Sequence, residues 1–197
     1  MYKFFSLIFC SIFVYISAQT TSSFINKLEN ISVVIIRHGE EQSVGPNLNC
    51  QGWFRSQCIG NFFTNFDYIF GMRQKKSSTS CRGTNTLIPL SKNINIPIDI
   101  CYAKGDEQQL VNKIMKMKNK NILICWQHAN ISIIARLLGG KNISFFPDMF
   151  DVIWTIKNGE LSISKEPVYC TSQNNCNTTS IIPLCGSYIS PIQCSLF

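Results

Sequence analysis

Residues 31–41 read ISVVIIRHGEE and residues 121–128 read NILICWQH. Each begins as a short, nearly unbroken apolar run, the pattern of a strand buried on both faces. Each run ends in a histidine, His38 in the first and His128 in the second. Outward from these two anchors, residues 52–63 (GWFRSQCIGNFF) carry apolar side chains near helical spacing, and 67–70 (DYIF) reads as another short strand. Residues 82–92 (RGTNTLIPLSK) predict a helix disturbed by Pro89, and 94–102 (INIPIDICY) an extended segment. Residues 107–118 predict an amphipathic helix, and 131–138 an apolar helix closed by Gly139 and Gly140. Residues 150–164 predict a hairpin turning at Asn158 and Gly159. Strands alternating with helices imply an α/β three-layer sandwich, its central sheet mostly parallel with an antiparallel edge.

The chain has 197 residues, close to one domain at roughly 150 residues per domain, with 45% hydrophobic and 15% charged residues. Such a composition is too apolar for disorder and supports a sizeable core. Only two histidines are present, so a three-histidine zinc site is excluded. The net charge of +7 favours anionic partners weakly. Lys113, Lys116, Lys118 and Lys120 lie at the spacing of a solvated helix face, which argues against a nucleic-acid partner.

Residues 1–19 have the form of a secretory signal peptide: Lys3, an apolar run over 4–16, then Ala18 before a polar stretch. That run is well short of the roughly 20 residues a spanning helix needs, so no stable membrane association is expected after cleavage. Removal of Lys3 and Cys10 leaves a charge of +6 and nine cysteines. An odd number in an oxidising compartment predicts up to four disulfides and one free thiol, with Cys125 the candidate for a buried thiol. Cys170, Cys176, Cys185 and Cys194 crowd the last 28 residues, so 169–197 is expected to be a stapled tail packed on a domain of 20–168. No CxxC spacing supports zinc. Sequons at Asn30, Asn130, Asn142 and Asn177 fit a secreted glycoprotein, with Asn130 expected to stay unmodified because a glycan beside His128 would obstruct it.

In an open α/β sheet the carboxyl ends of the strands line the ligand crevice, and both histidines fall there. The run VVIIRHGEE followed by LNCQGWFRSQCIGNFF resembles the opening of the histidine phosphatase superfamily, the phosphoglycerate mutase-like proteins. Leu48, Asn49, Gly52, Arg55 and Ser56 match its second block, with Asn and Ser as substitutions. Ser80, Arg82, Gly83, Asn85 and Thr86 match the third with one residue fewer between Ser and Arg, and ILICWQHANISIIARLLGG matches the last. The resemblance spans about residues 31–164 and implies a phosphoglycerate mutase-like fold.

The resemblance implies that His38 is the nucleophile of a phosphomonoester hydrolase and forms a phosphohistidine that water resolves. Arg37, Arg82 and His128 would bind the phosphoryl oxygens together with His38, and loss of the Arg82 charge is expected to cripple turnover. No cofactor or metal is called for, because the arginines supply the positive charge. The family's general acid is a Glu after the third strand or an Asp after the second histidine. Here Ala129 follows His128, so Asp106 and Glu107 are the nearest candidates, and acidic residues such as Glu40 commonly face away from the phosphate. The expected partner is a small phosphorylated substrate or anion. A catalytically weak or inactive secreted binding protein that retains the phosphate pocket is the alternative, and a cysteine-rich structural module a third reading. Substrate identity and oligomeric state are open at this level. Trp126, Phe145, Phe146 and Trp154 are expected to be core residues more than pocket residues.

Overall fold

The computed structural model describes residues 30–75, 80–140, 143, 149–170 and 194. The leader, most of the cysteine-rich tail, the sequons at Asn142 and Asn177, and Phe145 and Phe146 lie outside the described residues.

Strand β1 (Ser32–Arg37) is followed by α1 (Cys50–Phe62), β2 (Tyr68–Gly71), α2 (Arg82–Ile94) and β3 (Ile98–Asp99). Then come α3 (Glu107–Ile114), β4 (Asn121–Trp126), α4 (His128–Leu137), and the hairpin of β5 (Val152–Lys157) and β6 (Glu160–Lys165). A short 3-10 turn, Val168–Cys170, ends the described domain. The six strands form one sheet in the order β3-β2-β4-β1-β5-β6. β3, β2, β4 and β1 are parallel, and β5 and β6 add the antiparallel edge.

Alternation along β4 explains the layers. Ile122, Ile124 and Trp126 join a core with Leu110, Ile114, Ile131 and Ile134 of α3 and α4. Leu123 and Cys125 join a second core with Ile59 of α1 and Leu87 and Leu90 of α2. Successive residues of a strand point to opposite faces, so a run with no polar break requires helices on both sides. The result is the expected three-layer α/β arrangement with a six-stranded sheet. Trp126 and Trp154 are core residues, as their apolar surroundings predict.

Two local features depart from the sequence pattern or refine it. Helix α2 continues through Pro89 to Ile94. Proline cannot donate to the carbonyl four residues back, which is that of Asn85, and the Ser56 hydroxyl on α1 donates to this carbonyl at 3.2 Å instead. Helix α3 stops at Ile114 rather than running to residue 118. The amides of Lys116 and Met117 bond three residues back, and Asn119 takes a left-handed φ of 53° that turns the chain into β4. The hairpin turns at Asn158 and Gly159, both with positive φ, as a two-residue connection requires.

Candidate active site

β1 and β4 are paired in register with Arg37 opposite Trp126, and the His38 amide donates to the Trp126 carbonyl at 3.1 Å. His38 therefore stands level with Gln127 at the carboxyl edge of the sheet, and His128 follows as the first residue of α4. The two histidines and Arg37 thus share one rim, as the paired strand ends predict. Arg82, the first residue of α2, comes to the same rim, close enough for its charge to act on the His38 ring.

Backbone contact fixes the turn after β1. The Asn49 amide donates to the Glu40 carbonyl at 2.9 Å, and Asn49 caps α1 by accepting from the Gly52 amide at 2.8 Å. Asparagine does this work as well as serine or threonine. A Cβ on Gly52 would lie 2.3 Å from the Glu40 carbonyl oxygen, and one on Gly39 would lie 2.7 Å from that of Gly52. Both positions therefore need glycine for the chain to pass this closely.

His38 is buried, and its Nδ1 lies 2.8 Å from the Gly39 carbonyl oxygen. A carbonyl only accepts, so in the neutral ring Nδ1 carries the proton and Nε2 keeps its lone pair. Burial pushes the imidazole down to about 3, opposed by the Gly39 bond and reinforced by the charges of Arg37, Arg82 and Arg55. The ring is neutral through the whole mildly acidic and neutral range. Gly39 is itself held from the other side: its amide donates to Thr86 Oγ1 at 2.8 Å, and that hydroxyl donates to the Arg82 carbonyl at 2.8 Å.

Arg37 is buried, with the Phe150 ring 3.6 Å from its guanidinium carbon, and the same ring lies 6.2 Å from the His38 ring. Arg55 on α1 is fully buried and organises the floor. Its Nε and Nη2 reach the two Glu166 oxygens at 2.7 and 3.1 Å, Nη2 also donates to the carbonyls of Arg37 and Phe150, and Nη1 lies 3.5 Å from Glu40. Arg82 pairs with Glu41 and donates to the Gly45 carbonyl at 2.8 Å, so the loop before α1 steers it.

The two candidate acids are placed differently. Asp106 accepts from the Ala103 amide at 2.9 Å and faces Arg73 and Lys75 at 3.6 and 3.7 Å. Glu107 is buried; its Oε1 accepts from Trp126 Nε1 at 3.2 Å, from Asn130 Nδ2 at 2.7 Å and from the Gly105 amide. Asn130 Oδ1 in turn accepts from Gln127 Nε2 at 2.6 Å, so Glu107 is tied to both residues flanking His128 and Ala129. The nitrogen of Asn130 that a glycan would occupy is the one bonded to Glu107. Glu40 lies 3.5 Å from Arg55 Nη1. Among the described residues, no group of three or more His, Cys, Asp or Glu side chains is placed to hold a metal ion.

Thr86 and Arg55 fall within the quoted sequence blocks, but only the structure shows what each contacts. Phe150 and Glu166 leave no signal in the sequence, since Glu166 lies 111 residues from its partner Arg55.

The fold and the rim define a mixed α/β protein with His38, His128, Arg37 and Arg82 gathered at the carboxyl ends of parallel strands. No family model and no curated protein matches the chain. Among solved structures it is similar to the protein histidine phosphatase SixA complexed with tungstate, with 16% identity and a TM-score of 0.44 over 68% of this chain and 94% of that one.

Proposed function

We propose that this protein is a phosphomonoester hydrolase acting through a phosphohistidine at His38. The observation that carries the reading is the bond from His38 Nδ1 to the Gly39 carbonyl, which leaves Nε2 unprotonated among the charges of Arg37, Arg82 and Arg55. In the first step the Nε2 lone pair attacks phosphorus and the bond to the leaving oxygen breaks, that oxygen taking a proton from solvent water. In the second, water attacks the phosphohistidine, inorganic phosphate departs and the imidazole is restored. Arg37, Arg82 and His128 bind the equatorial oxygens, where charge stabilisation does most of the catalytic work.

The test is incubation with p-nitrophenyl phosphate at pH 5–7, followed by an alkaline quench and mapping of acid-labile phosphate. Phosphate on His38 that is absent from His38→Ala supports the reading, and its absence from the native chain overturns it.

One observation favours the second reading, a binding protein of low or no activity. Glu107 accepts several hydrogen bonds and Asp106 faces two cations, so neither carboxyl is spare to protonate a leaving group. Tungstate binding without phosphohistidine formation would select that reading. Export into an oxidising compartment belongs to the same proposal and is supported by the disulfides Cys58–Cys170 and Cys101–Cys194. Among the described residues no helix is long and apolar enough to cross a membrane.

A further inference from the structure

The rim extends past the two histidines. β2 pairs with β4 with Gly71 opposite Cys125, so Arg73, two residues on, stands level with Gln127, as His38 does from the other side. The Arg73 amide donates to the Tyr102 carbonyl at 2.7 Å, which fixes its backbone to the continuation of β3. With neighbouring strands about 4.8 Å apart, the backbones of His38 and Arg73 are about 10 Å apart along one edge.

The Arg73 side chain is 48% exposed, and its ion pair with Asp106 at 3.6 Å is longer than a hydrogen bond. Among the described residues its guanidinium makes no side-chain hydrogen bond. Lys75 Nζ donates to the Lys104 carbonyl at 2.6 Å and lies 3.7 Å from the same Asp106 carboxylate. Lys104 is exposed. Two cations therefore flank a single carboxylate at this end of the rim. Exposed pairs of this kind contribute little to stability, so the fold does not depend on them. A planar guanidinium with unsatisfied donors is suited to a phosphate or carboxylate.

We infer that Arg73, assisted by Lys75, forms a second anion subsite, and that the substrate is a phosphomonoester whose leaving group carries a further anionic group. This rests on the phosphatase reading of the His38 site. One end of the substrate presents its phosphoryl group to His38, and the other end reaches Arg73 along the rim over a span on the order of 6–10 Å.

Calorimetric titration of the full chain with hexylphosphonate, hexane-1,6-bisphosphonate and 6-phosphonohexanoate tests this, since phosphonates are not hydrolysed. The bisphosphonate is expected to bind about tenfold tighter than hexylphosphonate at low salt, and Arg73→Gln to abolish that difference while leaving hexylphosphonate affinity unchanged. The phosphonohexanoate shows whether a carboxylate serves as the second anion. Equal affinities for all three in a chain that forms phosphohistidine overturn the subsite and leave the phosphatase reading intact. A preference that survives Arg73→Gln also overturns the subsite. Failure of hexylphosphonate to bind, together with absence of phosphohistidine, overturns both.

Discussion

Arg55 and Glu166 form a two-pronged ion pair, both side chains fully buried, between the second block of the sequence and the end of the last strand. Through Arg55 Nη2 this pair also holds the carbonyls of Arg37 and of Phe150, whose ring covers the Arg37 guanidinium. Burial pushes the Glu166 carboxyl up in spite of Arg55, so the pair is retained at a desolvation cost. Glu166→Ala, which strands a buried guanidinium, is therefore expected to destabilise the protein by about 3–5 kcal/mol in urea unfolding. A loss under 1 kcal/mol would show that water reaches Arg55.

Acid sensitivity follows from His38. Its folded value of about 3 lies below the ordinary histidine value of 6.5, so the unfolded chain binds the proton more readily. The contribution of His38 to stability is complete above about 6.5 and is lost as pH falls from there toward about 3. Replacing His38 by Asn should flatten the fall in unfolding free energy across this window. Identical slopes in the two proteins would contradict the burial of the ring.

If His38 is the nucleophile, Thr86 is its positioning residue. It touches neither the imidazole nor, on this reading, the substrate; it holds the Gly39 amide, whose carbonyl holds Nδ1. Thr86→Val keeps the shape but removes the acceptor. Phosphohistidine formation should slow by about 10–100-fold with substrate KM little changed, and Thr86→Ser should restore it. A change in KM alone would place the role elsewhere.

Cys125 is the free cysteine among the described residues, and it is wholly buried, with its thiol pushed up to about 12 by burial. Cys50, Cys58, Cys81, Cys101, Cys170 and Cys194 are disulfide-bonded. Iodoacetamide at pH 8 should leave Cys125 untouched in the native protein and label it in denaturant without reductant. Native labelling would mean that β4 opens readily.

Glu107 separates two roles cleanly. As a proton donor, its replacement by Gln would slow alkyl phosphates far more than p-nitrophenyl phosphate, whose leaving group needs little protonation. As the anchor of Trp126 and Asn130, its replacement should slow both by a similar factor and lower the melting temperature. The second outcome is expected from its bonds, and a leaving-group dependence would assign it as the acid.

Strand alternation and apolar density were enough to read β1, β4, the hairpin and the two-faced sheet, because burial on both sides leaves no room for polar residues in such runs. The same logic put His38 and His128 at one edge, since parallel strands end together. Local chemistry also marked the turn at Asn158 and Gly159. The continuation of α2 through Pro89 was not legible, because the group that satisfies the Asn85 carbonyl, Ser56, comes from another helix. Nor were the partners of the site: Glu166 under Arg55, Phe150 over Arg37, and Arg73 level with His38 across β4. These are contacts between residues far apart in the chain, and pairing at a distance carries no periodicity. The sequence by itself determined the layered α/β class and the placing of His38, His128 and Arg37 on its rim. Only the tertiary structure decided which nitrogen of His38 is bonded to the Gly39 carbonyl, what holds that loop, and that Arg73 stands level with His38 along the rim, because each depends on contacts between residues far apart in the chain.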